Sequence, residues 1–375
     1  MNIRAGIFPT VLTITAFIMF TSCKQQKTAW EGTIEEVDGV IVVKNPKELL
    51  YTADALIQEE ELSIGVSEGP EKYMFSQVRS IAVDEDERIY VLDFKESHVK
   101  VFDKHGNYLM TIGSKGEGPG EMFGPIGIQI TPQNEIMVNN SNRRRLPFFS
   151  QSGEYLRKIT LIKIPPSYKL KVDSNGDFIV KHPIRDAIFR EALRKFNSEQ
   201  EHILTVAEVE TNPDVFYFRF ISGILFDVTE GNSIVFGVKK NYELKIINPK
   251  GELIRRILKK YDPVEVREEE KKIMLEKDKI PPERDVKFPK YYHPIEDISV
   301  DEEGNIFVRT SEKAEVENSN YYDIFNSEGK YIARISLKSL VNIPLVWKKS
   351  KLYTLEEDEE GFQVVKRYKV SWNID

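Results

Sequence analysis

The densest run of hydrogen-bonding side chains is Asn139-Asn140-Ser141-Asn142-Arg143-Arg144-Arg145. Guanidinium forks match carboxylates and the sulfate or phosphate groups of modified sugars, and side-chain amides match sugar hydroxyls. The same residue types also make salt bridges between neighbouring loops, and both readings stand at this point. His182, Arg185, Arg309, Tyr292 and His293 add donors that can reach the same surface, with Asp93 and Tyr291 near them. His182 and His293 are each followed by proline, which also suits the end of a loop.

Patterns for covalent or metal chemistry are sparser. Gly65-Val66-Ser67-Glu68-Gly69 matches the nucleophile-elbow spacing, but that motif needs a strand, a sharp turn and a helix. Pro70 follows here and the surroundings read as strands, so the match is set aside. Five histidines stand far apart, at 98, 105, 182, 202 and 293. None makes the paired H-E-x-x-H spacing of a zinc hydrolase. Asp173-Ser174-Asn175-Gly176-Asp177 begins like a calcium loop, lacks the remaining ligands, and reads better as a hairpin turn. Cys23 is the one cysteine, which excludes an intramolecular disulfide and any multi-cysteine metal site. The 60 acidic and 53 basic residues leave a charge of -7. A mildly acidic chain has no bulk electrostatic reason to bind nucleic acid. The 41% hydrophobic content supplies a real core and rules out wholesale disorder.

The elements that must position these residues form a repeat. An apolar residue, an Asx or Ser, two spacers and a turn residue recur at Phe102–Gly106, Phe149–Gly153, Phe196–Gln200, Ile247–Gly251 and Phe325–Gly329. Asp, Asn or Ser opens such a turn by accepting from its own backbone, and glycine takes the left-handed position before the next strand. Gln200 lacks that freedom, so its turn is expected to be strained or rearranged. The turn positions 106, 153, 200, 251 and 329 give a period near 47 with one insertion of about 30. A second hairpin precedes each turn, as in Ile81-Ala82-Val83-Asp84 leading to Ile89-Tyr90-Val91. Each unit therefore carries four short strands, here a to d from first to last.

Four strands per 40–50 residues is the signature of a β-propeller blade. Five units are complete. A sixth has three strands at the C-terminus and takes its fourth from Glu59–Gly65, which closes the ring and leaves no open edge. The expected fold is all-β: a six-bladed β-propeller of four-stranded blades over residues 55–375, with a short helical insertion at 262–292. Gly113-Ser114-Lys115-Gly116-Glu117-Gly118-Pro119-Gly120-Glu121-Met122-Phe123 resembles the blade connection of NHL-repeat propellers. Ile89-Tyr90-Val91-Leu92-Asp93 and His98-Val99-Lys100-Val101-Phe102-Asp103 resemble the core of that repeat. Residues 75–125 carry the likeness well and later blades carry it in outline. The resemblance implies the fold and says little of function.

A second resemblance concerns the N-terminus. Arg4, the apolar run Ile7–Phe20 and Thr21-Ser22-Cys23 are similar to the signal and lipobox of bacterial lipoproteins, with Phe20 where leucine is usual. The resemblance implies a signal peptide over 1–22, lipidation at Cys23, and a tether with a first extended segment over 23–54. The expected address is the bacterial cell envelope, lipid-anchored at the outer membrane and facing the periplasm, with the membrane itself as one partner.

Two function classes follow. In a propeller the a–b and c–d turns share one face, and the b–c and d–a connections share the other. The long connections, Gly113–Gly124, Asn139–Leu146, His182–Glu191, Tyr261–His293 and Arg309–Asn320, all belong to the second face. The first reading is a binding or scaffold module that holds a protein, peptide or glycan there, with no cofactor. The alternative is a metal-assisted hydrolase or lyase. Some six-bladed propellers hold a divalent metal in the central channel, and the resemblance offers Gln129, Glu296 and Asp297 as ligands here.

Overall fold

The computed structural model describes residues 29–51, 56–140, 144–167, 169–186, 189–211, 223–281, 286–316, 319–340 and 343–372. Cys23 and the signal segment lie outside the described residues, as do Asn142, Arg143 and the side chain of Arg185.

Three strands precede the first complete blade: β1 (Thr33–Val37), β2 (Val40–Asn45) and β3 (Leu56–Ile64). Blade 1 is β4 (Val78–Val83), β5 (Ile89–Asp93), β6 (His98–Phe102) and β7 (Tyr108–Ile112). A two-residue parallel ribbon, β8 (Ser114–Lys115) with β9 (Glu121–Met122), crosses to the next blade. Blade 2 is β10 (Gly127–Ile130), β11 (Ile136–Asn139), β12 (Arg145–Phe149) and β13 (Tyr155–Thr160). Blade 3 is β14 (Lys169–Val172), β15 (Phe178–Arg185), β16 (Phe189–Phe196) and β17 (His202–Glu210). Blade 4 is β18 (Ile224–Val228), β19 (Ile234–Val238), β20 (Glu243–Ile247) and β21 (Leu253–Lys259). The helix α1 (Glu268–Lys277) follows. Blade 5 is β22 (Ile295–Val300), β23 (Ile306–Lys313), β24 (Ser319–Phe325) and β25 (Tyr331–Lys338). Blade 6 is β26 (Val346–Lys348), β27 (Lys351–Glu357) and β28 (Gln363–Trp372), completed by β3 in the order β26-β27-β28-β3.

The six-bladed ring of the sequence reading is what the chain builds, closed by the N-terminal strand. β3 pairs with β28 from Leu56↔Trp372 to Ile64↔Val365. The sheets pack through one apolar cluster at each junction. Tyr90, Leu92 and Val101 meet Ile136, Val138 and Phe149 between blades 1 and 2, and Ile64, Tyr353 and Val365 meet Ile81, Val91 and Phe102 at the closure. Burying one such side chain stabilises by about 1.5–3 kcal/mol. The ring thus rests on six similar interfaces rather than on one central core.

The repeated turn has one geometry. Asp103 Oδ1 accepts from the backbone N–H of His105 and Asn107, both at 2.8 Å. Asn197, Asn248 and Asn326 do the same two and four residues on in their c–d turns, and Asp301 and Asp358 repeat the pattern in an a–b turn of blade 5 and a b–c turn of blade 6. The register slips beside each c–d turn, as at Val101/Phe102, which marks a bulge with a left-handed residue. Gln200 does not rearrange this turn. It holds φ +63°, and its side chain takes the N–H of Ile162 at 2.8 Å and gives to the Thr160 carbonyl at 2.8 Å.

Two expectations change. First, residues 29–51 are more than a tether. The β1–β2 hairpin extends blade 4 to a six-stranded sheet, with β2 parallel to β21. Asn45, 3% exposed, fixes it: its amide gives to the carbonyls of Leu258 and Gly329, and its oxygen takes the N–H of Tyr331 and the indole of Trp30. Second, the stretches read as b–c loops at 182–191 and 309–320 are largely lengthened hairpins, because β15 and β16, and β23 and β24, run on as strands. The 262–292 insertion has its own small cluster around Val266 and is tied to neighbouring blade 5 through the Lys313–Glu270 ion pair.

Candidate functional site

Strand a of every blade lines the axis, and together they enclose a cavity of about 550 Å³. Its polar lining is uneven. Arg79, Lys169, Lys171, Lys181, Lys239 and Arg309 face it, against the carboxylates of Asp227, Glu296 and Asp297. A protein of charge -7 therefore carries an excess of positive charge at its centre. Low-dielectric walls concentrate such a field.

Strand register sets the positions of these groups. Lys169 opposes Lys181, Gly127 opposes Asn139 and Asp297 opposes Arg309. These pairs sit near the start of strand a, toward the b–c and d–a connections. Lys171 and Asp227 lie deeper and pair with each other. Lys239 pairs with Glu296 at 2.7 Å, and Lys181 with Glu191 at 3.8 Å. Lys169 gives to the Phe226 carbonyl at 2.8 Å, and its ammonium lies 5.1 Å from the centre of that ring. Burial pushes the Lys169 ammonium below the usual lysine range, with Asp297 and Asp227 opposing the shift. Arg309 is 3% exposed, and its Nη1 is buried without a hydrogen-bond partner. Leaving a charged donor unpaired in the interior is costly. Trp347 lines the cavity too, stacked on Phe307 with ring centres 4.2 Å apart, and its indole Nε1 is also buried and unpaired.

The structure brings together part of the expected set. Asn139, Arg309, Glu296, Asp297 and Gln129 line the cavity. Asn140 is buried with its Oδ1 unpaired. Arg144 instead bonds the carbonyls of Leu161 and Ile162, and Arg145 that of Glu117, so these two forks brace loops. His182 is buried with Nδ1 3.2 Å from the Pro183 carbonyl, and burial lowers its pKa, so the imidazole is held neutral. Tyr292 gives to Glu270 at 3.3 Å and belongs to the insertion. Burial also lowers the pKa of His293, near Glu296 and Lys239.

The metal set does not form. Gln129 spends its amide across the blade junction, giving to the Val172 carbonyl at 2.6 Å and taking the Val172 N–H at 3.0 Å. Glu296 is held by Lys239, and Asp297 faces Lys169 and Arg309. Among the described residues, no three His, Cys, Asp or Glu side chains gather as metal ligands. The donors here suit an anion better than a cation.

Sequence reasoning missed Lys169, Lys171, Lys181, Lys239, Arg79 and Trp347. The available signal was polar residues on the inner strands, read around the ring rather than along the chain. Strand β14 alone, with lysines at alternate positions, would have pointed to it.

Comparison with known proteins agrees with the architecture. A family model described as a 6-bladed beta-propeller matches residues 68–175. Over 118 residues the chain is 24% identical to protein brain tumor of Drosophila melanogaster, and this stretch is 31% of the chain. The chain spans 11% of the length of that curated relative. Among solved structures, a Bacteroides fragilis protein described as exported is similar at TM-score 0.57 and 11% identity, over 88% of this chain and 99% of that one. A member of the DUF4221 family from Bacteroides vulgatus gives 0.51 and 12%, over 86% and 100%. A gluconolactonase from Xanthomonas campestris gives 0.50 and 10%, over 84% and 100%. At these identities the likeness speaks for the fold alone. The chain is an all-β, six-bladed propeller of four-stranded blades with one short helix.

Proposed function

We propose that this chain is a membrane-tethered, NHL-like binding module that takes a ligand into the axial cavity from its b–c and d–a face. One observation carries the reading: the buried, unpartnered Nη1 of Arg309 beside a cluster of lysines in a cavity of about 550 Å³. That volume falls in the ordinary range for small-ligand sites. The ring holds its inner strands rigidly, so binding would spend little entropy on ordering. The chemistry of the donors favours this over the metal-assisted hydrolase or lyase.

The envelope address belongs to the same reading. No helix among the described residues is long and apolar enough to cross a membrane. A lipid on Cys23 would supply the attachment. Ala29 follows Cys23 by six positions, a reach of about 20 Å for an extended chain. Blade 4, which carries the N-terminal hairpin, would then ride close to the bilayer. Radiolabelled palmitate should enter the wild-type protein in a bacterial host and not Cys23→Ser. Equal labelling of both would remove the anchor from this proposal.

The binding reading is tested by plugging the cavity. A Cβ built on Gly127 meets nothing nearer than the Asn139 Cβ at 3.5 Å, an ordinary contact. Gly127→Phe should therefore fold and fill the mouth. Full-length wild type and Gly127→Phe would be compared on an array of glycans and peptides. Ligands captured by wild type and lost by the plug support the reading. Ligands captured equally by both, or by neither, would overturn it.

A further inference from the structure

We infer that the cavity selects an acidic carbohydrate, its oxyanion on Arg309 and Lys169 and its sugar ring beside Trp347. This deepens the binding reading and rests on it. Three observations converge. Arg309 is nine-tenths buried and more, with Nη1 unpaired, in the lining of the cavity. A guanidinium donor held in that state is completed by an incoming carboxylate, phosphate or sulfate oxygen. Lys169 has a carbonyl and an aromatic ring for company, and among the described residues no carboxylate hydrogen-bonds to it. An anion near it would restore the protonated state that burial disfavours. Trp347 then supplies an apolar surface with an unpaired N–H at its edge. Sugars present just that combination, C–H faces and hydroxyls, and an aromatic ring with a polar tip suits both.

The carboxylates in the lining restrict the ligand. Glu296 and Asp297 stand at the same level as Arg309 and Lys239. A polyanion would meet repulsion there, whereas a sugar with one oxyanion can place hydroxyls against these carboxylates. The inference is therefore for one acidic group per bound unit, whether a uronic acid, a sugar phosphate or a sugar sulfate.

Calorimetric titration of the full-length protein distinguishes these sources. The probes are glucuronate, glucose 6-phosphate and glucose 6-sulfate at matched ionic strength, with glucose and inorganic phosphate as controls. At least one acidic sugar should bind wild type at least tenfold more tightly than either control. Arg309→Met and Lys169→Met should each weaken it at least tenfold, and Trp347→Leu should weaken the sugar without changing inorganic phosphate. Because Arg309 is buried, its variant would first be checked for an unaltered melting transition, and Lys169→Met provides an independent reading at a second residue. Unchanged affinity in Lys169→Met, or no preference for any acidic sugar over glucose, would overturn the inference. If array ligands are still lost by Gly127→Phe in that case, the binding reading survives with a neutral ligand. If the plug loses nothing, both fall.

Discussion

Lys169 shows how one side chain couples stability to binding. Burial lowers its pKa, so the charged form is less favoured in the folded chain than in the unfolded one. Between its lowered folded pKa and the usual value near 10.5, the unfolded chain binds more protons, and stability rises with pH. Below the folded pKa the whole penalty is present. Lys169→Met should therefore raise the melting temperature at pH 7, and the gain should shrink as the pH approaches 10. Melting curves of the two proteins at pH 7 and pH 10 check this. A variant that is less stable at pH 7 would mean that the bond to the Phe226 carbonyl outweighs desolvation. The opposite arrangement exists at Asp323, which is fully buried yet paired with Arg334, Lys259, Tyr242 and Tyr331. There the neighbouring cations hold the carboxyl below its usual range despite burial. The fully paired carboxylate at Asp323 and the unpaired Nη1 at Arg309 thus separate a structural cluster from a candidate site.

At the scale of the element, the repeated turn explains why blades can vary in sequence and keep their shape. The Asx side chain and the left-handed fourth residue are enough to set the bulge and restart the strand. Gln200 tests how these terms compare. A non-glycine residue at positive φ costs about 1–2 kcal/mol, and its two side-chain bonds across to Thr160 and Ile162 offset about 1 kcal/mol each. Gln200→Gly should be close to neutral, because it relieves the backbone and loses the bonds. Gln200→Ala keeps the strained backbone, loses the bonds, and should cost about 2 kcal/mol. Urea unfolding of both variants gives the ranking, and an alanine variant at least as stable as the glycine variant would refute the account. The same residue shows the limit of reading by pattern. Its place in the repeat was legible in the sequence, but its compensating partners lie about forty residues away and came together only through blade packing.

At the scale of the molecule, closure by β3 makes the two ends of the chain interdependent. The pairing joins residues some three hundred positions apart and adds the Arg367–Glu61 and Lys366–Glu60 ion pairs. Surface pairs of this kind contribute little by themselves. The strand hydrogen bonds and the apolar junction with blade 1 carry the closure. Truncation after Gly361 removes β28, opens the ring and exposes the β27 edge. The truncated chain should lose the cooperative urea transition and aggregate. A truncated protein with unchanged midpoint and slope would show that the other five junctions suffice.

The ring was legible along the chain. Turn chemistry and apolar alternation are local, so they recur visibly at a period near 47, and the missing strand of the last blade could be assigned by count. The sequence did not reveal that residues 29–51 are built onto the rim of blade 4, because β2 pairs with a strand about two hundred residues away. Nor did it locate the cavity's charge. Lys169, Lys239 and Trp347 come from three different blades, each unremarked in its own segment, and only closure of the ring turns them toward one axis with Arg309. Arg144 and Arg145 attracted attention because they are adjacent in sequence, yet packing directs both to loop carbonyls. Local hydrogen bonding and strand periodicity are written along the chain. A binding site at the axis of a ring is a property of long-range register, and tertiary structure alone decided it.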